Sequence, residues 1–328
     1  MSIKTAALNL YIYEGISSSY IASDLKYRIQ KERINSDTKI NFEIAELVRD
    51  YIDHTFNDDY VSKCVWVLAY TTLFDENNEP YTYSNPQSNT YLALDGYGYF
   101  EEGINPELSR NALISSNDVY LPEGTAGRLP IFAEGVGKVI IDSTTTQITD
   151  NGNTNQKIQY LTIPANSSTV KVYATDDATL LKTITISNIC EPKFTPYKIT
   201  FVNKYGVYQD LFAFKKSVEN LNVTDERYKR NIIVNNTTSY PTYSGQSERY
   251  NVNGNTSINL NTGFVSEDMN QTIEELFLSE NVWIRYEGKT LPVIPKTKTL
   301  QFKTSVNDRL ANYTIDFEFA FNKINSVR

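Results

Sequence analysis

Along the stretch NYTIDFEFAF, apolar residues take every second position. Tyr313, Ile315, Phe317, Phe319 and Phe321 alternate with Thr314, Asp316, Glu318 and Ala320. A period of two over this length predicts a half-buried strand. Aromatic and β-branched residues suit its pleated surface. Such a face this late in the chain predicts a strand that completes a sheet begun by earlier residues. Residues 8–14 and 25–31 alternate in the same way, with Leu25, Tyr27 and Ile29 on one face, and predict a strand pair.

In INFEIAELVRDYIDHTF the period lengthens. Phe42, Ala45, Val48 and Ile52 fall at helical spacing, and Ile44, Leu47 and Tyr51 widen the stripe. This predicts a helix near 42–54 lying across a sheet, with Asn41 as N-cap, Glu43 and Glu46 early and Arg49 late. Residues 61–74 are apolar on both faces and predict a central strand covered on both sides. A turn region follows, then a strand in TYLALDGYGYF (90–100), then a loop over 102–127 rich in Gly, Pro, Asn and Ser.

From 128 to 192 the pattern changes to short strands, KVIIDS, KIQYLTI, TVKVYAT and LLKTITIS, separated by turn signals such as DNGN and TDDA. Further on, YKITFVNKYGV alternates, Asn253–Gly254 signals a hairpin, and 267–279 carries a helical stripe of Met269, Ile273, Leu276 and Phe277 with Ser266 as cap. NVWIRYEG, KTLQFKTS and the terminal stretch read as three strands.

The reading is therefore mainly β (β-rich α+β), with two larger β units that each carry one packed helix and a small β-sandwich module between them. Residues 1–127 form an N-terminal β-rich domain with the helix near 42–54. Residues 128–192 form a small immunoglobulin-like β-sandwich, inserted in the larger domain. Residues 193–328 form a C-terminal β-rich domain with the helix near 267–279. Both large units read as strands, a helix and then a Trp-bearing strand, as an internal duplication would.

Composition supports this picture. The 328 residues include 24 tyrosines and one histidine, and the net charge is -8. A scattered acidic excess gives no basic face for a phosphate backbone, so no sequence-specific nucleic acid is expected. Cys64 and Cys190 stand far apart without metal-ligand spacing and read as reduced, buried thiols. The N-terminal run reads as a first strand and not a signal peptide. No apolar run is long enough to predict a membrane span.

A search for chemistry finds little. His54, the one histidine, lies beside Asp53 and Asp50, but no serine sits in a nucleophile-elbow pattern, so it reads as an imidazolium at a helix C-terminus. DGYGYF lacks the third glycine of a dinucleotide loop. DENNE (75–79) and TDNGN (149–153) lack the spacing of a calcium loop and read as turns. Asp316 with Glu318, and Glu101 with Glu102, are carboxylate pairs that read as solvated. DERYKRN (225–231) reads as an exposed turn or polar contact patch. Neither catalytic, cofactor-binding nor metal residues are expected, and no enzyme. Tyrosine is enriched at interfaces and on sugar-binding surfaces, so the composition points to binding.

Three stretches carry a resemblance: INFEIAELVRDYI, PYKITFVNKYGVYQDLFAFKKSVENLNVTDERYKRN, and NQTIEELFLSENVWIRYEG through the terminal NYTIDFEFAF. In texture and order they resemble structural tail and collar ring proteins of tailed phages that infect Bacteroidota, the crAss-like group. The middle module carries no such resemblance. The resemblance implies a non-enzymatic virion protein that forms a homo-oligomeric ring. Its neighbours would be copies of itself and other tail, collar or portal proteins around the DNA passage. The alternative is a carbohydrate-binding or host-adhesion tail module with glycan as partner.

Overall fold

A computed structural model of the chain describes residues 3–34, 39–81, 88–103, 112–231, 239, 241–299, 301 and 310–324. Strands dominate, as the alternation predicts, and the fold is mainly β. The chain folds into two compact units. The first comprises residues 1–190, 200–211 and 268–281, and the second comprises 191–199, 212–267 and 282–328. Strands β12 (Tyr197–Val202) and β13 (Tyr208–Ala213) have residues in both.

The first unit opens with a four-stranded sheet in the order β2-β1-β3-β4. Its strands are β1 (Thr5–Tyr13), β2 (Leu25–Glu32), β3 (Val65–Phe74) and β4 (Ser88–Ala93), with β1 antiparallel to both β2 and β3. The predicted pair at 8–14 and 25–31 is present. The predicted helix near 42–54 is much shorter: α1 is Ala45–Arg49, and beyond Tyr51 the chain leaves the helix. Its N-cap is Ile44, which offers no side-chain acceptor, and Asn41 lies outside. Five residues do not repay helix nucleation by themselves. What holds α1 on the sheet is the packing of Val48, with Ile52 just beyond, against Leu10, Ile12, Val65 and Val67.

Strand β3 is central as predicted, but only Val65, Val67 and Leu68 on it are buried, and Tyr70 is exposed. The strand read over 90–100 ends at Ala93, ahead of Asp95–Gly96. The region read as loop over 102–127 contains β5 (Asp118–Pro122) and the start of β6 (Gly127–Phe132). Residues 104–111 lie outside the described ones. β5 pairs in parallel with β11 (Leu180–Ile189), so one sheet contains residues from both sides of position 127. That sheet runs β5-β11-β10-β7-β8, with β7 (Val136–Ile141), β8 (Thr144–Gln147) and β10 (Thr169–Ala174). A second, two-stranded sheet pairs β6 with β9 (Ile158–Ile163), which follows the single turn of α2 (Thr154–Lys157). The four short strands predicted here are all present.

The second unit contains β14 (Val218–Lys229), β15 (Ser247–Ser266), β16 (Val282–Tyr286), β17 (Lys289–Pro295) and β18 (Leu310–Asn322), hydrogen-bonded in the order β16-β17-β18-β15-β14. The predicted helix at 267–279 is α3 (Met269–Leu278), whose residues belong to the first unit. Its N-cap is Asp268, not Ser266. The hairpin signal at Asn253–Gly254 misleads, because both residues lie inside β15, opposite Thr224 and Val223. The tight turn is at Glu287–Gly288 between the paired Tyr286 and Lys289, with φ of 47° and 77°. Two successive positive φ values define the type I′ geometry that fits strand twist. Of KTLQFKTS, residues 300 and 302–305 lie outside the described ones; the strand found after β16 is β17.

No helix among the described residues is long and apolar enough to cross a membrane. The face predicted for β18 is present. Tyr313, Ile315, Phe317 and Phe319 are buried, and only Phe321 is exposed, at 49%. Truncating Phe317, at 0% exposure, to alanine is expected to cost about 3–5 kcal/mol. Phe321→Ala is expected to stay within about 0.5 kcal/mol of wild type. Urea unfolding of the two variants beside wild type measures the difference.

Candidate functional site

The first unit holds an open cleft of about 620 Å³ between α1, the end of β4, the segment 94–100, and the end of α3 with residues 279–281 beyond it. Two glycines shape it. A β-carbon on Gly96 would sit 2.7 Å from the Lys204 carbonyl oxygen, and one on Gly206, at φ +74°, would sit 2.7 Å from the Asp95 carbonyl carbon. Only glycine permits so close a backbone approach. The Tyr97 amide then donates to the Lys204 carbonyl at 2.9 Å. Asn203, buried at the start of the 203–207 turn, accepts from the Tyr205 amide and donates to the Leu113 carbonyl and Gln209. Segment 95–99 is thereby tied to the β12–β13 turn.

That placement brings Asp95 to Arg49. Arg49 Nε donates to Asp95 Oδ1 at 2.8 Å, and Nη2 donates to Glu280 Oε2 at 2.5 Å. His54 Nε2 lies 3.3 Å from Asp95 Oδ2. Burial alone would raise the Asp95 carboxyl, but His54 and the Arg49 guanidinium outweigh it and hold the carboxyl below the ordinary value. Four aromatic rings, Tyr91, Tyr97, Tyr99 and Phe100, line the same cleft. Tyr97 and Tyr99 stack edge to face, 6.0 Å apart.

The structure puts His54 with Asp95, a residue the sequence reading did not single out, and not with Asp50. Its ring also packs edge-on against Tyr208 at 5.6 Å. With α1 ending at Arg49, His54 is not at a helix C-terminus, so that reading is corrected. Asp316 and Glu318 lie on β18 and are bonded across the sheet: Asn259 donates to Asp316, while Asn255 and Lys296 bond Glu318. Glu101 and Glu102 sit in a short 3₁₀ turn. In DENNE, Asp75 Oδ1 accepts from the amides of Asn77 and Glu79, as a turn requires. In TDNGN, Asp150 accepts from the Gly152 amide and from Lys157, whose ammonium also reaches Glu134 and lies over the Trp66 ring. Cys64 is buried and its thiol is pushed up to about 11, chiefly by burial; Cys190 is exposed, against the buried thiol expected.

A buried polar cluster anchors α3 within the first unit. Ser115 Oγ donates to Glu275, whose carboxyl is 1% exposed and raised by burial. Asp268 spends its carboxylate on Ser116 and the Asn117 amide instead of capping its own helix. Lys182 donates to the carbonyls of Ile114 and Ser115, and burial pushes its ammonium down to about 8.

In the second unit the conspicuous surface is the β14–β15 ribbon. DERYKRN is not a turn: Asp225–Lys229 belong to β14, where Asp225 pairs with Arg227 along the strand and with Arg249 across the ribbon, and Glu248 pairs with Arg230. β18 pairs with β15 from Asn255 onward, and Lys323 and Ile324 just after it bond Gly254 and Asn253, so residues 225–229 and 247–252 form a two-stranded ribbon without a third strand among the described residues. Tyr228, Tyr250 and Val252 on it are exposed, as are Leu221 and Val223 on the adjoining part of β14. The register slips between Thr224 and Glu226, where Asn251 takes φ 50°. This bulge bends the ribbon.

The chain matches no protein-family model, no curated protein and no solved structure.

The Lys182 ammonium has a pH signature. Its proton leaves the folded chain near pH 8 and the unfolded chain near ~10.4. Between those values the unfolded state binds more protons, so stability rises with pH; below about 8 the buried charge is a constant penalty. Thermal unfolding of wild type against Lys182→Met, from pH 7 to 10, is expected to shift in favour of wild type as pH rises. A pH-independent difference refutes the assignment.

Proposed function

We propose that the protein is a structural virion component that assembles into an oligomeric ring in a phage tail or collar. In that role it contacts copies of itself and neighbouring tail, collar or portal proteins around the DNA passage. The observation that carries this reading is the β14–β15 ribbon. A two-stranded ribbon is marginal in water unless something covers it, and this one exposes aliphatic and tyrosine side chains along an outermost strand. Such a ribbon suits a heterologous contact, in which one surface of a subunit meets a different surface of the next and the series closes into a ring. The resemblance of the flanking stretches to tail and collar ring proteins supports the same role.

We read the protein as binding without catalysis. In the cleft Arg49 bridges the two carboxylates that could otherwise serve as an acid–base pair, and Asp95 is held ionised. The acidic total suits a channel wall that repels phosphates and lets DNA slide. The middle module fits an immunoglobulin-like spacer in such a ring.

Native mass measurement of the purified chain and of particles tests this. Closed oligomers of about six or twelve subunits, with the chain stoichiometric in virions, are expected. Leu221→Lys with Val223→Lys, both exposed, should leave the fold intact and lower the assembled fraction. A monomer at all concentrations that is absent from particles overturns the reading.

A further inference from the structure

We infer that the cleft of the first unit is a binding site for a neutral oligosaccharide. The inference does not rest on ring assembly. The cleft volume, about 620 Å³, falls in the roughly 300–1,000 Å³ range of small-molecule sites. Its open mouth admits one end of a longer chain. Tyr91 is half exposed and Phe100 fully exposed, and both rings border the cleft. Free aromatic faces beside a cleft offer a platform for the apolar C–H face of a sugar ring.

The polar groups narrow the ligand class. Glu46, Asp95 and Glu280 line the cleft against one guanidinium, Arg49. Phosphates, uronates and sialic acids would meet net repulsion there. A purely hydrocarbon ligand would strip water from Arg49 and Glu280 and return no hydrogen bond. A neutral sugar avoids both penalties, because each hydroxyl both donates and accepts. The Arg49 fork is held in place by Asp95 and Glu280, so part of the ordering cost of binding is met before the ligand arrives. Arg49 stands between Asp95 and Glu280 and engages both carboxylates, so these groups orient the site.

The test uses the full chain against immobilised cello-, manno- and N-acetylchito-oligosaccharides, with a heparin oligosaccharide as the anionic arm and an extended peptide library as a competitor class. Calorimetry then follows the best neutral binder. Binding of a neutral oligosaccharide without binding of heparin is expected. Tyr91→Ala and Phe100→Ala should each weaken it roughly tenfold, about 1.4 kcal/mol, with melting temperature and assembly mass unchanged. The inference is overturned if no neutral oligosaccharide binds, if both variants bind as well as wild type, or if only peptides bind, as they would along the edge strand β4. Because assembly mass is read separately, failure here leaves the ring reading standing, and the reverse also holds.

Discussion

The backbone contact between Gly96 and Gly206 and the segments each faces sets the arrangement of the first unit's cleft. Neither glycine can carry a β-carbon without striking main-chain atoms of the other segment. A side chain can yield to crowding by changing rotamer, whereas a carbonyl in a hydrogen-bonded turn cannot. The contact therefore fixes Asp95 relative to α1, and Asp95 in turn orients Arg49 and faces His54. The aromatic run that follows Gly96 leaves this anchor and lines the cleft.

Polar groups buried in the same unit reinforce the arrangement. Asn203 uses its amide in both directions, and the segment 113–117 is bonded by Lys182, Glu275 and Asp268. Removing one partner from such a network costs more than the bond itself, because a desolvated group is left behind. α3 is therefore held by directional bonds as well as by its apolar stripe of Met269, Ile273 and Leu276.

The second unit is built differently. Its order comes from period-two burial on β18 and the C-terminal part of β15, joined by the consecutive buried Val282, Trp283 and Ile284 of β16. β15 is 20 residues long; residues 247–254 pair with β14, 255–259 lie between β14 and β18, and 260–266 pair with β18. The transition from core to exposed ribbon thus occurs within one strand. Cross-strand ion pairs keep the ribbon polar enough to remain in water while its aliphatic side chains stay uncovered.

Periodicity by itself determined that the protein is mainly β, that 313–321 is a strand with one buried face, that short strands occur within 128–192 and that a helix lies near 267–279. These are local properties: a side chain's direction repeats every two or 3.6 residues whatever it meets. The apolar stripe at 42–52 also looked helical, yet only five residues are, because helix length depends on capping and burial that the stripe does not encode. Asn253–Gly254 looked like a turn, but pairing with Thr224 and Val223 of β14 holds it within a strand. The cleft was not legible as a site: DGYGYF stood out only as a failed dinucleotide loop, although its residues 95–100 line the cleft. Arg49, Asp95 and Glu280 are spread over more than half the chain, and none has a telling neighbour in sequence. Only the folded backbone brings them together, because ion pairing and close glycine contacts depend on distance in space, which sequence order does not specify.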